Sequence, residues 1–239
     1  MKSFKDFLRE SSSYVSEATN ENGEIIVSNK TQLRKLIDDF SLTLDKIIIA
    51  KNLKDISGAF KNSTRKDFSG LETWDISNVE NMADLFENCP NFTGEEIEHW
   101  DVSRVKDMGN LFKDCKNFNA DLSRWDVRNV EYMDFMFQNC KSFTGKGLEK
   151  WNTTNLKQLH GAFSNCDRFN TDLSRWKTSK VLDVAYLFHG CKNFIGKGLE
   201  KWDLSDLKHY DKLVFKDSGV KNIPENFLKK FRELVLYEY

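Results

Sequence analysis

Apolar positions along this chain recur at a long, fixed interval. From Leu53 to Val220 the apolar skeleton of a unit is L-x-x-W-x-V-x-x-V-x-x-M-x-x-L-F-x-x-C-x-x-F, with exchanges at single positions. The third copy is Leu122, Trp125, Val127, Val130, Met133, Met136, Phe137, Cys140 and Phe143. Tryptophans stand at Trp74, Trp100, Trp125, Trp151, Trp176 and Trp202, so steps of 26 and 25 residues alternate. Cys89, Cys115, Cys140, Cys166 and Cys191 keep the same step. Phe86, Phe112, Phe137, Phe163 and Phe188 each follow a tryptophan by 12 residues. A period of about 20–50 residues marks a stacked repeat array, in which no unit can bury its apolar side alone.

Within a unit, W-x-V has the two-residue step of a strand, and L-x-x-W-x-V predicts a parallel strand stacked unit on unit. The three-residue steps that follow predict turns and short helical or 3₁₀ segments. The alternation in length also has a local cause. Short units read FNADLSRW (Phe118–Trp125) and FNTDLSRW (Phe169–Trp176); long ones read FTGEEIEHW, FTGKGLEKW and FIGKGLEKW. The extra residue falls beside Gly94, Gly145 and Gly196, where glycine tolerates the positive φ of a turn.

An array needs caps. Glu24–Ala50 reads as strand, helix, strand, with Ser28 or Asn29 as N-cap and Leu33, Leu36, Ile37 and Phe40 on one helix face. Phe60 and Ser63 lie 26 residues before Phe86 and Cys89, which makes a degenerate first unit. At the far end Val214 is expected in the phenylalanine slot and Asp217 in the cysteine slot. A closing helix over Ile223–Tyr239 would present Phe227, Phe231 and Leu234. The expected organisation is therefore a leader at 1–10, a linker at 11–23, an N-terminal cap at 24–52, repeats at 53–220 and a C-terminal helical cap at 221–239.

Charge and chemistry narrow the picture. Lys plus Arg number 36 and Asp plus Glu 37, a balance that argues against a nonspecific electrostatic hold on nucleic acid or anionic lipid. The longest apolar run, Ile47–Ala50, falls far short of the ~20 residues of a membrane span. No secretory h-region precedes the repeats, so the cysteines are expected as reduced thiols. Each sits in the same slot of its unit, without a C-x-x-C pair, which fits a ladder of small buried side chains. His99, His160, His189 and His209 fall in different phases, which speaks against a metal cluster. The GKG at Gly145–Gly147 and Gly196–Gly198 lacks the spacing of a phosphate loop. No catalytic, metal or cofactor constellation stands out from the repeat background, and the expectation is a protein that is not an enzyme and needs no cofactor.

The six phased tryptophans and five phased cysteines resemble the BspA-type leucine-rich repeats. The likeness is to the tryptophan-containing version common in mycoplasma surface proteins and found also in phage genomes. It spans about Leu53 to Val220. It implies an α/β repeat solenoid: a leucine-rich-repeat-like parallel strand stack with short helical or 3₁₀ segments, capped at both ends, whose surfaces bind partners.

The first ten residues, MKSFKDFLRE, stand outside the repeats. Phe4, Phe7 and Leu8 form a small apolar face flanked by Lys2, Lys5 and Arg9, too short for a stable lone helix. The segment is similar to the capsid-targeting leaders of internal head proteins in T-even-type phages. Those leaders begin Met-Lys-Thr/Ser, carry an aromatic at position four and end in Leu/Ile-x-Glu. The resemblance implies recognition of Leu8 and Glu10 by a prohead protease, cleavage after Glu10, and Ser11 as the new N-terminus.

The positions flanking each tryptophan supply the candidate binding residues. The preceding residue runs Thr73, His99, Arg124, Lys150, Arg175, Lys201, and the following one Asp75, Asp101, Asp126, Asn152, Lys177, Asp203. Parallel stacking at ~4.8 Å would line up four consecutive basic groups beside a partly acidic row. Arg124, Arg128, Lys150, Arg175, Lys177 and Lys201 are the candidate contacts for an acidic protein partner, against the alternative of a solvated face with charges paired across rows. The expectation is a monomeric phage internal head protein. It would reach the virion interior through the scaffold and then the host cytoplasm, where it would block a host protein, such as a defence component. The alternative is an interaction or adhesin-like repeat module without capsid targeting.

Overall fold

The computed structural model describes residues 19–236, with side chains to 233. The expected leader, with Leu8, Glu10 and Ser11, and most of the expected linker lie outside the described residues. Strands β1 (Ile25–Val27) and β2 (Ile47–Ile49) pair in parallel, with Ile25 opposite Ile47 and Val27 opposite Ile49. Between them runs helix α1 (Lys30–Ile37), whose N-cap is Asn29: its Oδ1 accepts the Gln32 N–H at 2.9 Å. Leu33, Leu36 and Ile37 are buried as expected, but Phe40 is 56% exposed. The helix stops at Ile37, so Phe40 leaves its face and lies under the Arg65 guanidinium, 5.2 Å from the ring centroid. Arg65 itself is buried, and its Nη2 donates to the carbonyls of Ile37, Asp39 and Leu42 at 3.1–3.3 Å. One cation thus satisfies the orphan carbonyls at the end of α1 and ties the cap to the first repeat.

From Asp55 on, each unit joins the next through a single parallel bridge. The bridged residues are Asp55, Asn81, Asp107, Tyr132, Gln158, Asp183 and His209, from Asn81 on each seven residues after a tryptophan. The strand expected at W-x-V does not form. The residue after tryptophan bends the chain instead: Asp75 and Asp101 accept the N–H two residues on at 3.1 and 3.0 Å, and Asn152 and Asp203 do the same at 3.2 and 2.9 Å.

Past the bridge the backbone divides its donors between two uses. In the unit that follows Trp74 the N–H groups of Met82, Asp84, Phe86 and Asn88 donate to Asp107, Gly109, Leu111 and Lys113 of the next unit at 2.7–3.0 Å. The alternating N–H groups of Leu85, Glu87 and Cys89 close turns on Met82, Asp84 and Phe86 at 3.0–3.2 Å. Every donor is used, which a buried backbone requires. This winding needs positive φ twice per unit. Gly58, Asp84, Asn110, Phe135, Gly161 and Tyr186 fill the first site; Asn62, Asn88, Asp114, Asn139, Asn165 and Gly190 fill the second.

Aromatic columns make the core. Phe60, Phe86, Phe112, Phe137, Phe163, Phe188 and Phe215 stack in succession with centroids 5.0–6.0 Å apart. Phe92, Phe118, Phe143, Phe169 and Phe194 form a second column at 5.2–6.2 Å. Each such pair adds about 0.5–1.5 kcal/mol beyond area burial. The tryptophans bind the preceding unit through their one donor: Nε1 of Trp74, Trp100, Trp125, Trp151, Trp176 and Trp202 reaches the carbonyls of Leu44, Leu71, Ile97, Leu122, Leu148 and Leu173 at 2.9–3.2 Å. The thiols do likewise, each Sγ donating to the phenylalanine carbonyl one unit back at 2.8–3.0 Å.

The glycines of the long units have two separate tasks. A Cβ on Gly145 would fall 2.6 Å from the Phe169 ring, and one on Gly147 would fall 2.2 Å from the Ser123 nitrogen. Both have positive φ, 87° and 95°. The extra residue thus lets a loop press on the neighbouring ring and backbone together.

The last unit differs from its expected register. Phe188 N–H still bonds to Val214, but Gly190 N–H reaches Lys216 and Phe215 stacks on Phe188 at 5.9 Å. One extra residue has entered between His209 and Val214. Phe215, not Val214, therefore takes the phenylalanine slot, and Ser218, not Asp217, takes the cysteine slot. Helix α2 (Glu225–Leu236) closes this end. Asn226 Nδ2 donates to the carbonyls of Leu199 and Trp202 at 3.0 and 2.8 Å, and Phe227 is fully buried against Trp202 and Phe215.

Candidate binding surface

The expected basic residues are all exposed. Lys150 and Lys201 end the 3₁₀ turns Leu148–Lys150 and Leu199–Lys201; Arg124 and Arg175 end the corresponding turns of the short units. They do not stand on a strand, so the row follows turns that precede each tryptophan. The buried tryptophans behind it stack 6.1 Å apart from Trp151 to Trp176 and again to Trp202.

Two of the six cations are engaged within the chain. Arg128 Nε lies 2.8 Å from Asp126, and Arg124 Nη1 lies 3.3 Å from the ring nitrogens of His99. Lys150, Arg175, Lys177 and Lys201 meet no carboxylate at ion-pair distance among the described residues. The neighbouring acidic row was expected to neutralise the strip in places, but not at Asn152 or Lys177. Its acceptors are turned inward to the Asx turns, and in Asp75 hydrogen bonds from Ser77 lower the carboxyl pKa. Lys177 breaks that row, and its backbone N–H is held by Thr153 Oγ1 at 2.7 Å. Among the described residues the basic strip thus makes no ion pair along the last three units.

Other charged rows are self-neutralising. Glu80 sits between Lys54 and Lys106 at 2.8 and 2.7 Å, its carboxyl lowered to about 2 by those two partners, and Lys157 meets Glu131 at 2.5 Å. Lys146–Asp121 and Lys197–Asp172, at 3.0 and 3.1 Å, repeat one contact a full double unit apart.

A second surface feature was not anticipated. The bridge column holds Asx residues at Asp55, Asn81, Asp107 and Asp183, but Tyr132 and Gln158 occupy the middle. The first positive-φ column holds Phe135 and Tyr186 where other units have Gly, Asp or Asn. Their rings flank His160, at 4.8 and 5.7 Å between centroids, and His189 lies 5.9 Å from Tyr186. Histidines in different phases therefore do meet around one tyrosine. The signal lay in the columns: reading down the tenth residue after tryptophan exposes Phe135 and Tyr186 as the exceptions.

Among the described residues no group of three or more His, Cys, Asp or Glu could hold a metal, and no helix is long and apolar enough to cross a membrane. Burial holds the Cys89 and Cys191 thiols up at about 12 and the other three well above the ordinary range.

A family model described as "Mycoplasma protein of unknown function, DUF285" matches residues 54–147 and 145–227. No curated protein and no solved structure matches the chain.

Proposed function

Since the chain belongs to the DUF285 family of mycoplasma-type repeat proteins, we propose that it is a binding protein built on a leucine-rich-repeat-like solenoid. Its basic strip, Arg124, Arg128, Lys150, Arg175, Lys177 and Lys201, takes the acidic surface of a protein partner. The observation that carries this reading is the absence of any carboxylate at ion-pair distance from Lys150, Arg175, Lys177 and Lys201 among the described residues. Like charges in neighbouring turns repel, and a partner that neutralises them gains both attraction and relief of that repulsion.

The finer part of the proposal rests on the likeness of Met1–Glu10 to capsid-targeting leaders. In this reading the chain is an internal head protein. The scaffold draws it into the capsid, the prohead protease cuts after Glu10, and the mature form enters the host to block a host protein.

Two experiments test the two parts separately. A hexaglutamate peptide titrated into the full chain should bind, with affinity falling steeply as salt rises. Exchange of Lys150, Arg175, Lys177 and Lys201 for Gln should weaken it by more than about tenfold, roughly 1.4 kcal/mol. Unchanged affinity disposes of the strip. Co-expression with a prohead protease should give an intact mass that begins at Ser11; an uncut chain disposes of the leader.

A further inference from the structure

Repeat arrays carry their own control, because each slot is filled several times in one chain. The first positive-φ slot is filled by Gly58, Asp84, Asn110 and Gly161, residues suited to a left-handed backbone. Phe135 and Tyr186 occupy it at φ 55° and 56°. Bulky side chains are true outliers there, and such strain persists only where the surroundings enforce it. The bridge slot tells the same story: Asp107 and Asp183 each cap the N–H two residues on, at 2.9 and 2.7 Å, whereas Tyr132 cannot. The exceptions are neighbours. Tyr132 and Tyr186 are 40% and 38% exposed, and the Phe135 ring covers Gly161, where an added Cβ would fall 2.7 Å from it.

Charge defines what such a patch would accept. Asp107, Asp134 and Asp183 have no Lys or Arg ion pair among the described residues; Asp183 has only His160, at 3.3 Å. Burial raises the Asp134 pKa, the hydrogen bond from the His160 N–H at 2.9 Å and the His160 ring lower it, and the charges of Asp183 and Asp107 push it up. A cation already lies against one of the rings, Lys113 Nζ at 5.8 Å from the Phe135 centroid. Partly exposed ring faces beside carboxylates that meet no Lys or Arg among the described residues are the setting in which a guanidinium or ammonium group is held by cation–π and ionic attraction together.

We propose that Tyr132, Phe135, His160 and Tyr186, with Asp107, Asp134 and Asp183, form a second docking site that receives an arginine or lysine side chain from the surface of a partner protein. The site is independent of the basic strip and stands whether or not that strip binds anything.

The test is an aromatic-resonance titration of the full chain with Nα-acetyl-arginine amide. The resonances of Tyr132, Phe135, His160 and Tyr186 should shift saturably, while the uncharged Nα-acetyl-citrulline amide leaves them in place. Phe135→Asn and Tyr186→Gly install residues the array uses in the same slot. Both should weaken binding by about threefold or more, with melting temperatures at or above the parent. Asp183→Asn keeps the acceptor for Ala185 and should weaken binding as well. Removing the four strip cations should change nothing here. Equal shifts from citrulline, shifts from methyl glucoside in place of arginine, unaltered affinity in the ring variants, or ring variants that melt well below the parent would each overturn the assignment.

Discussion

The thiol ladder makes the array alkali-sensitive by an amount that can be worked out. Each of the five Sγ atoms is buried and donates to a phenylalanine carbonyl one unit back, at 2.8–3.0 Å. Ionising one in place would strand a thiolate against a carbonyl oxygen in an apolar core. Burial accordingly pushes Cys89 and Cys191 to about 12 and the other three well above their ordinary value. In the unfolded chain a thiol titrates near ~8.5. A folded pKa raised in this way gives stability that is whole below the unfolded pKa and is lost as pH rises towards the folded one. At about pH 10 the unfolded chain gains ~2 kcal/mol for each thiolate it can form, because the native thiols are still protonated. Five thiols together come to ~10 kcal/mol, the size of a whole domain's stability.

The measurement is urea unfolding from about pH 8 to pH 10 on the parent and on Cys140→Ser. Serine keeps a donor for the Phe112 carbonyl, now 3.0 Å from Sγ, but does not ionise in this range. The parent should lose ~1.4 kcal/mol more per pH unit than the variant at the alkaline end. Lys106, Lys146 and Lys157, whose pKa values are raised above 10.5 by Glu80, Asp121 and Glu131, keep their contribution up to about pH 10 and lose it only at higher pH, equally in both chains. Parallel stability curves for the two proteins would refute the reasoning.

Other substitutions probe single links. Trp151→Phe removes the Nε1 bond to Leu122, 3.0 Å long, and part of a buried ring, and should cost ~2–4 kcal/mol in urea unfolding; a loss under ~0.5 kcal/mol would contradict the role given to the indole column. Gly147→Ala places a Cβ 2.2 Å from the Ser123 nitrogen and should cost ~2 kcal/mol or more, whereas Gly58→Ala meets nothing nearer than 4.0 Å and should cost only ~1 kcal/mol; equal losses would undo the close-approach argument. Phe135→Asn exchanges a strained aromatic for a residue that tolerates its φ and should leave thermal stability equal or raise it by ~1 kcal/mol, as read by calorimetry.

The parts of this fold that were legible are those fixed by side-chain identity at a constant interval. Phe86, Phe112, Cys115 and Trp125 can be read as core from spacing alone, since only stacking lets each unit bury its aromatic residues. The helix start was legible as Ser28 or Asn29 from local capping chemistry, and the Gln32 N–H bond settles it on Asn29. The path of the chain between those anchors was less so. L-x-x-W-x-V matches a strand template, yet Asp75 and Ser77, Asp101 and Ser103, Asn152 and Thr154 carry a turn signal at the same place. Hydrogen bonding of the Asx side chain to the backbone won over the two-residue alternation. The gaps in the acidic row at Asn152 and Lys177, beside Lys150 and Arg175, could be read directly from the sequence. Register at the end was hidden because one inserted residue, before Val214, moves Phe215 into the stack without changing composition.

The columns that hold this array together and those that face a partner obey different constraints. In the interior a departure is penalised by every neighbour. Trp and Cys slots therefore keep one identity along the array and change only at its edges, where Ser63 and Ser218 stand. On the bridge side a departure is penalised only through its own φ, by ~1–2 kcal/mol for a non-glycine residue. Phe135 and Tyr186 bear that cost one double unit apart, on either side of His160, and Tyr132 abandons an Asx turn within the same unit as Phe135. Random drift would scatter such exceptions along the units. Their clustering around His160, beside three carboxylates that meet no Lys or Arg among the described residues, is what the proposed binding contact, held against local stability, would produce.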